Sequence, residues 1–133
     1  MRVVDASIVL QWLLETPSKA ARTVLEDHVE GREALVAPEL LRYEVGNVLV
    51  RKTRLAAAAV TTAFDHFLDL EIQTYSLGTA EYRESLRLAG RYKLTMYDAG
   101  YVALAVALGV EMITADQKLA RATAPLGIVH TVS

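Results

Sequence analysis

Asp5, Glu44, Asp98 and Asp116 are the residues through which this chain could do chemistry. Asp5 closes the apolar run Met1-Arg2-Val3-Val4 and is followed by Ala6-Ser7 and a second apolar stretch, Ile8-Val9-Leu10. Asp116 repeats the arrangement, after Met112-Ile113-Thr114 and before Gln117-Lys118-Leu119-Ala120-Arg121. A strand that delivers a carboxylate to its C-terminal end places it where open α/β sheets hold ligands, and neighbouring parallel strands would set both acids on one rim. Converging carboxylates repel: two at about 5 Å do so by roughly 3 kcal/mol at an effective dielectric near 20. A hard divalent cation offsets that repulsion, and an all-oxygen set selects Mg2+ or Mn2+ over zinc. The histidines, His28, His66 and His130, are scattered without ligand spacing and read as surface or packing residues.

Each acid also has a plainer role. Asp5 and Asp116 could cap the helices that follow them, since Asp is a favoured N-cap. Thr95-Met96-Tyr97-Asp98 has capping-box spacing, with Thr95 as N-cap and Asp98 at the third helical position. Asp98 is nevertheless the only charge between Lys93 and Glu111, and it opens a run from Ala99 to Leu108 that is apolar on every face. Such a helix packs centrally and brings its first turn close to the sheet. On a helix of about 3.6 residues per turn, Glu44 falls between Leu40 and Val48 on the apolar face that also carries Leu41, Val45 and Leu49. A buried carboxylate needs a partner or shifts its pKa. That partner is either a metal ion or an arginine, with Arg42 and Arg51 as candidates.

The elements that must position these acids alternate. Strand-like runs occur at Val3 to Val4, Leu35 to Ala37, Ile72 to Tyr75, Met112 to Thr114 and Ile128 to Thr131. Helical patterns fill Ser7 to Glu15, Ser18 to Glu30, Glu39 to Arg51, Ala56 to Leu70, Thr79 to Tyr92 and Met96 to Leu108. The alternation predicts an α/β fold with a mainly parallel five-stranded sheet and helices on both faces.

With 133 residues and 14.6 kDa, a single domain spanning residues 1–133 is expected. The absence of cysteine excludes disulfides and thiolate metal sites and suits a reducing, cytoplasmic setting. Asp5 and Gln11 interrupt the N-terminal apolar stretch, and no small-residue cleavage site follows, so no signal peptide is read. The longest uncharged run, Ala99 to Val110, is too short to span a bilayer. A net charge of -2 gives no basic footprint for nucleic acid. Discounting the four acids as metal ligands turns the remainder to about +2 and makes that argument nearly neutral. Hydrophobic content of 53% and a mean hydropathy of +0.24 suggest apolar surface buried against another chain.

With its residues so placed, the chain resembles the PIN-domain ribonucleases, specifically the VapC-type toxins of VapBC toxin-antitoxin pairs. The resemblance covers nearly the whole chain. It rests on Val-Val-Asp-Ala-Ser (Asp5, Ser7), Glu-Val-Gly-Asn-Val-Leu (Glu44, Asn47), Tyr-Asp-Ala (Asp98) before an Ala-rich helix, and Ile-Thr-Ala-Asp (Thr114, Asp116). It implies a PIN-like three-layer α/β/α fold and Mg2+- or Mn2+-dependent endonucleolytic hydrolysis of RNA by metal-activated water. Asp5 and Asp98 would be the leading ligands, Glu44 and Asp116 further members of the set, and Ser7 and Thr114 supporting polar groups. It also implies a homodimer and a cognate antitoxin protein whose C-terminal segment covers the site. The helices Ser18 to Glu30 and Glu39 to Leu70 are places for the apolar contacts.

RNA contacts would draw on Arg42, Arg51, Lys52, Arg54, Arg91, Lys93, Lys118 and Arg121, although most of these read equally as solvated helix residues. Arg51 to Arg54 ends a helix, where positive charge is favoured regardless of RNA. Trp12 could stack a base, but its apolar context favours core or interface. The competing class is a catalytically inactive PIN-like RNA-binding or protein-interaction domain. A haloacid-dehalogenase-type phosphatase needs a second Asp where Ser7 stands, and none of the seven glycines builds a phosphate loop.

Overall fold

The computed structural model describes residues 1–132. The chain runs β1 (Arg2–Val4), α1 (Ala6–Leu14), α2 (Lys19–Val29), β2 (Leu35–Pro38), α3 (Leu40–Arg51) and α4 (Ala57–Asp69). It continues through β3 (Gln73–Tyr75), α5 (Thr79–Tyr92), α6 (Met96–Leu108), β4 (Met112–Thr114), α7 (Gln117–Ala122) and β5 (Val129–Thr131). The five strands form one sheet in the order β3-β2-β1-β4-β5, and every pairing is parallel. The expected mainly parallel sheet is thus wholly parallel. α7 is a short helix and Ala124–Leu126 a single 3-10 turn. Both are too brief for an apolar period to reveal them.

The strand order carries the functional consequence. From β1 the chain moves outward to β2 and β3, then crosses back over the sheet to β4 on the other side of β1. Right-handed crossovers running in opposite directions place their helices on opposite faces. α1, α3 and α4 pack together, while α5 and α6 pair along their lengths and α6 lies against β1, β2 and β4. Between β1 and β4 the direction of winding reverses, and the crevice at their C-terminal ends is where such sheets bind ligands.

The core explains why α6 takes the central place. All seven residues from Ala99 to Ala105 are buried, against the fully covered strand residues Val3, Val4, Val36 and Met112. Exposure returns only in the last turn, at Val106, and Gly109 then ends the helix at φ 67, a left-handed conformation that glycine adopts without strain.

Two side chains pin the helices to this frame. Trp12 donates its Nε1 proton to the Ala21 carbonyl at 2.9 Å, tying α1 to α2, so it serves the core rather than a base. His28 accepts the Leu35 amide proton on Nδ1 at 3.1 Å and therefore donates from Nε2 to the Leu70 carbonyl at 2.6 Å. It joins α2, the start of β2 and the end of α4. Removing it leaves a donor and an acceptor unpaired. His28→Ala is expected to lower the unfolding free energy by about 1–3 kcal/mol. The exposed His66→Ala should stay within about 0.5 kcal/mol of the parent. Urea denaturation of both variants checks the contrast.

Candidate active site

Strand register builds the site. Val3 pairs with Met112 and Val4 with Ile113, so Asp5 comes level with Thr114 at the C-terminal ends of β1 and β4. Thr114 Oγ1 donates to Asp5 Oδ2 at 2.5 Å and Ser7 Oγ donates to Asp5 Oδ1 at 2.5 Å, with the Ser7 amide donating to Oδ1 at 3.1 Å. Each hydroxyl has one proton, and both go to Asp5. Ser7 Oγ and Thr114 Oγ1, 3.2 Å apart, therefore touch without a proton between them. As acceptors they receive the amides after β4: Ser7 Oγ takes Ala115 N at 2.8 Å and Thr114 Oγ1 takes Asp116 N at 3.0 Å. The result is a polar clamp that fixes the Asp5 carboxylate and ties the two strand ends together.

The capping roles are real as well. Asp5 is the N-cap of α1, and Asp116 caps α7 by accepting the Leu119 amide on Oδ1 at 3.1 Å. Thr95 caps α6 by accepting the Asp98 amide at 3.1 Å. Capping occupies one Asp116 oxygen, and the Thr95 cap engages the Asp98 amide rather than its carboxylate, so the caps leave carboxylate oxygens of both residues unused by them.

Electrostatics bring the four acids together. Burial raises the Asp5 pKa above its ordinary value despite the hydroxyls of Ser7 and Thr114, and the charge of Asp98 adds to the shift. Burial likewise raises Glu44 despite the nearby Tyr101 hydroxyl, with the charges of Asp98 and Asp5 adding. Asp98 is raised by burial and then by the charge of Asp116. Asp98 is thus the hub, acting on or acted on by each of the other three.

Sequence reasoning missed the residue beneath them. Tyr101, on α6 and 1% exposed, has a buried hydroxyl with no partner in hydrogen-bond geometry. Burial and then the nearby charge of Glu44, with Asp5 and Asp98 further off, push its ionisation far up, so the hydroxyl keeps its proton. Of the two partners open to Glu44, the arginine is not found: Arg42 and Arg51 are exposed and, among the described residues, form no ion pair with it. The signal was available, because Tyr101 lies three residues after Asp98 on the same face of an otherwise apolar helix.

Among the described residues no three His, Cys, Asp or Glu side chains close into a group that would enclose a metal ion. The acids stand within electrostatic reach of one another without forming a coordination shell. Their donor chemistry, all carboxylate oxygen around an unpartnered hydroxyl, nevertheless suits a hard cation.

Fold and site together define a class: a three-layer α/β/α protein with a carboxylate cluster at the switch point of a parallel sheet. A family model for the PIN domain matches residues 2–125, and the chain belongs to that family. Ribonuclease VapC1 of Mycobacterium tuberculosis is 34% identical over 128 residues, covering 90% of this chain and 89% of that protein. Exonuclease VapC9 of Pyrobaculum aerophilum is 32% identical over 91 residues, 68% of each chain. A toxin-antitoxin complex from Klebsiella pneumoniae superposes with a TM-score of 0.71 at 17% identity, covering 97% of this chain and 95% of the matched one, and so shares the fold.

The burial of Glu44, with the neighbouring charges adding, predicts a stability effect. Glu44 holds its proton more tightly folded than unfolded, so its contribution is full below its ordinary 4.5 and is lost as pH rises through the raised value. With EDTA present, Glu44→Gln should stabilise the protein at pH 7 by a few tenths to about 1 kcal/mol, a range reduced by screening at a half-exposed carboxylate. The gain should vanish near pH 4. Urea titrations at both pH values measure it, and a loss of stability at pH 7 would show that Glu44 does not hold its proton more tightly in the folded state.

Proposed function

We propose that this chain is a divalent-metal-dependent endoribonuclease that acts as the toxin of a toxin-antitoxin pair, with residues 1–133 working as a single PIN domain. The observation that carries the reading is that Asp5, Glu44 and Asp98 lie within electrostatic reach of one another and of the buried Tyr101 hydroxyl, with Asp116 reached through Asp98. The similarity to proteins named as ribonucleases supports the active reading over an inactive scaffold.

Asp5 and Asp98 would hold Mg2+ or Mn2+, with Glu44 and Asp116 completing the set. When bound, such an ion activates water for attack and stabilises charge on the phosphate. The chain's own residues do the rest. Ser7 and Thr114 keep Asp5 fixed and its oxygens oriented, so the carboxylate does not need to reorganise. Tyr101 keeps its proton beside Glu44 and so favours the charged form of that carboxylate against the cost of burying it. Asp116, exposed at the rim, stands where a phosphate backbone would pass.

RNA would be held by exposed cations. Arg42, Arg51, Lys52, Arg54, Arg91, Lys93, Lys118 and Arg121 are all exposed, and none forms an ion pair among the described residues. They are available for salt-dependent phosphate contacts. Exposed apolar side chains on α2, α3 and α4, among them Val29, Tyr43, Val50 and Leu68, support burial against an antitoxin and a second copy of the chain. No helix among the described residues is long and apolar enough to cross a membrane. With the lack of cysteine, this supports a cytoplasmic setting.

A closed circular RNA tests the reading, because it has no end for an exonuclease. The purified, antitoxin-free protein should linearise it with Mg2+ or Mn2+ and stop on addition of EDTA. Asp5→Asn and Asp98→Asn should each lower the rate by about a hundredfold or more. Cutting of linear RNA alone would replace the endonuclease with an exonuclease. A folded protein that cuts neither RNA with either metal would overturn the proposal.

A further inference from the structure

Beside the acids lies a cavity of about 320 Å³, the size of a small-ligand site. Glu39, Tyr75, Ser76, Tyr82, Met96 and Tyr97 form much of its wall. Met96 and Tyr97 immediately precede Asp98, and Glu39 opens α3, the helix that carries Glu44. Tyr75 ends β3, two strands from β1. At the interstrand spacing of about 4.8 Å, the end of β3 that borders the cavity lies about 10 Å across the same rim from the end of β1 that carries Asp5.

The chemistry of the wall selects against phosphate. Among the described residues no lysine or arginine lines the cavity, and its single charged residue is the carboxylate Glu39. What it offers is three phenol rings and a thioether. Tyr97 is 66% exposed and Tyr82 54%, so neither ring is committed to the core, and both border a concavity instead of an open surface. Aromatic rings that border a single-strand path are the usual platform for splayed-out RNA bases. A carboxylate beside them accepts hydrogen bonds from an exocyclic amino group.

We propose that this cavity receives one unstacked base of a single-stranded RNA, from a nucleotide beside the cleaved phosphate. The base stacks on Tyr97, and Glu39 favours amino-bearing bases over uracil. The proposal rests on the ribonuclease reading for its biological setting. It names a substrate feature, a preferred base at a fixed distance from the cut, that the acids themselves cannot supply.

Two measurements separate the subsite from the catalysis. With EDTA present, adenosine, cytidine, uridine and ribose are titrated into the protein while the ring resonances of Tyr75, Tyr82 and Tyr97 are followed by NMR. Adenosine and cytidine should shift these signals saturably, uridine more weakly and ribose not at all. Tyr97→Ala should weaken adenosine binding about tenfold. Equal shifts from ribose, or none from any nucleoside, would overturn the proposal. In the second measurement, a randomised RNA is cut with metal present. One position near the cut should show a base bias that Tyr97→Ala flattens. An unchanged bias in both Tyr97→Ala and Tyr82→Ala overturns the subsite and leaves the ribonuclease standing. Nucleoside binding without any cleavage leaves the subsite standing and overturns the ribonuclease.

Discussion

Holding several carboxylates partly out of water, within reach of one another's charge, is the constraint on which the rest of this structure turns. Asp98 couples to Asp5, Glu44 and Asp116, and burial raises the pKa of three of the four acids. A fold gains nothing from such a cluster by itself, because each charge makes the others harder to keep ionised. Natural chains retain unfavourable local arrangements chiefly where function requires them. Here the fold spends hydrogen bonds to hold the arrangement: both hydroxyl protons of the Ser7–Thr114 pair go to Asp5.

The fold supplies the means in a short chain of causes. Parallel pairing of β1 with β4 sets Asp5 level with Thr114. Reversal of the winding direction between those strands opens the crevice at their ends. The buried helix α6 then carries Asp98 and Tyr101 on one face into that crevice, and α3 brings Glu44 from the other side. Each acid comes from a different element, so the site exists only when the whole sheet and both helix layers are assembled.

Much of this was legible in the amino-acid sequence, for physical reasons. The strand runs are short, apolar and bounded by turns, and the helices carry clear apolar periods, so element identity followed from periodicity. Asp5 and Asp116 announced themselves by standing at strand ends, and Asp98 by being alone in an apolar stretch. Tyr101 was not read, because a tyrosine in a core helix ordinarily signals packing, and only three-dimensional placement shows its hydroxyl left without a partner. Which partner Glu44 would find stayed open for the same reason: helix position gives the face a residue presents, while pairing depends on which neighbour reaches it. Strand order, and with it the switch point, also lay beyond local pattern.

The proposed role of Asp5 and Asp98 is to hold a divalent cation. Calorimetric titration of the purified, antitoxin-free protein with Mn2+ tests it most directly, since binding is read without any choice of RNA. The account predicts saturable binding that Asp5→Asn and Asp98→Asn abolish while the far-ultraviolet circular dichroism stays unchanged. A folded wild-type protein that binds no Mn2+, or variants that bind it as well as wild type, would contradict it.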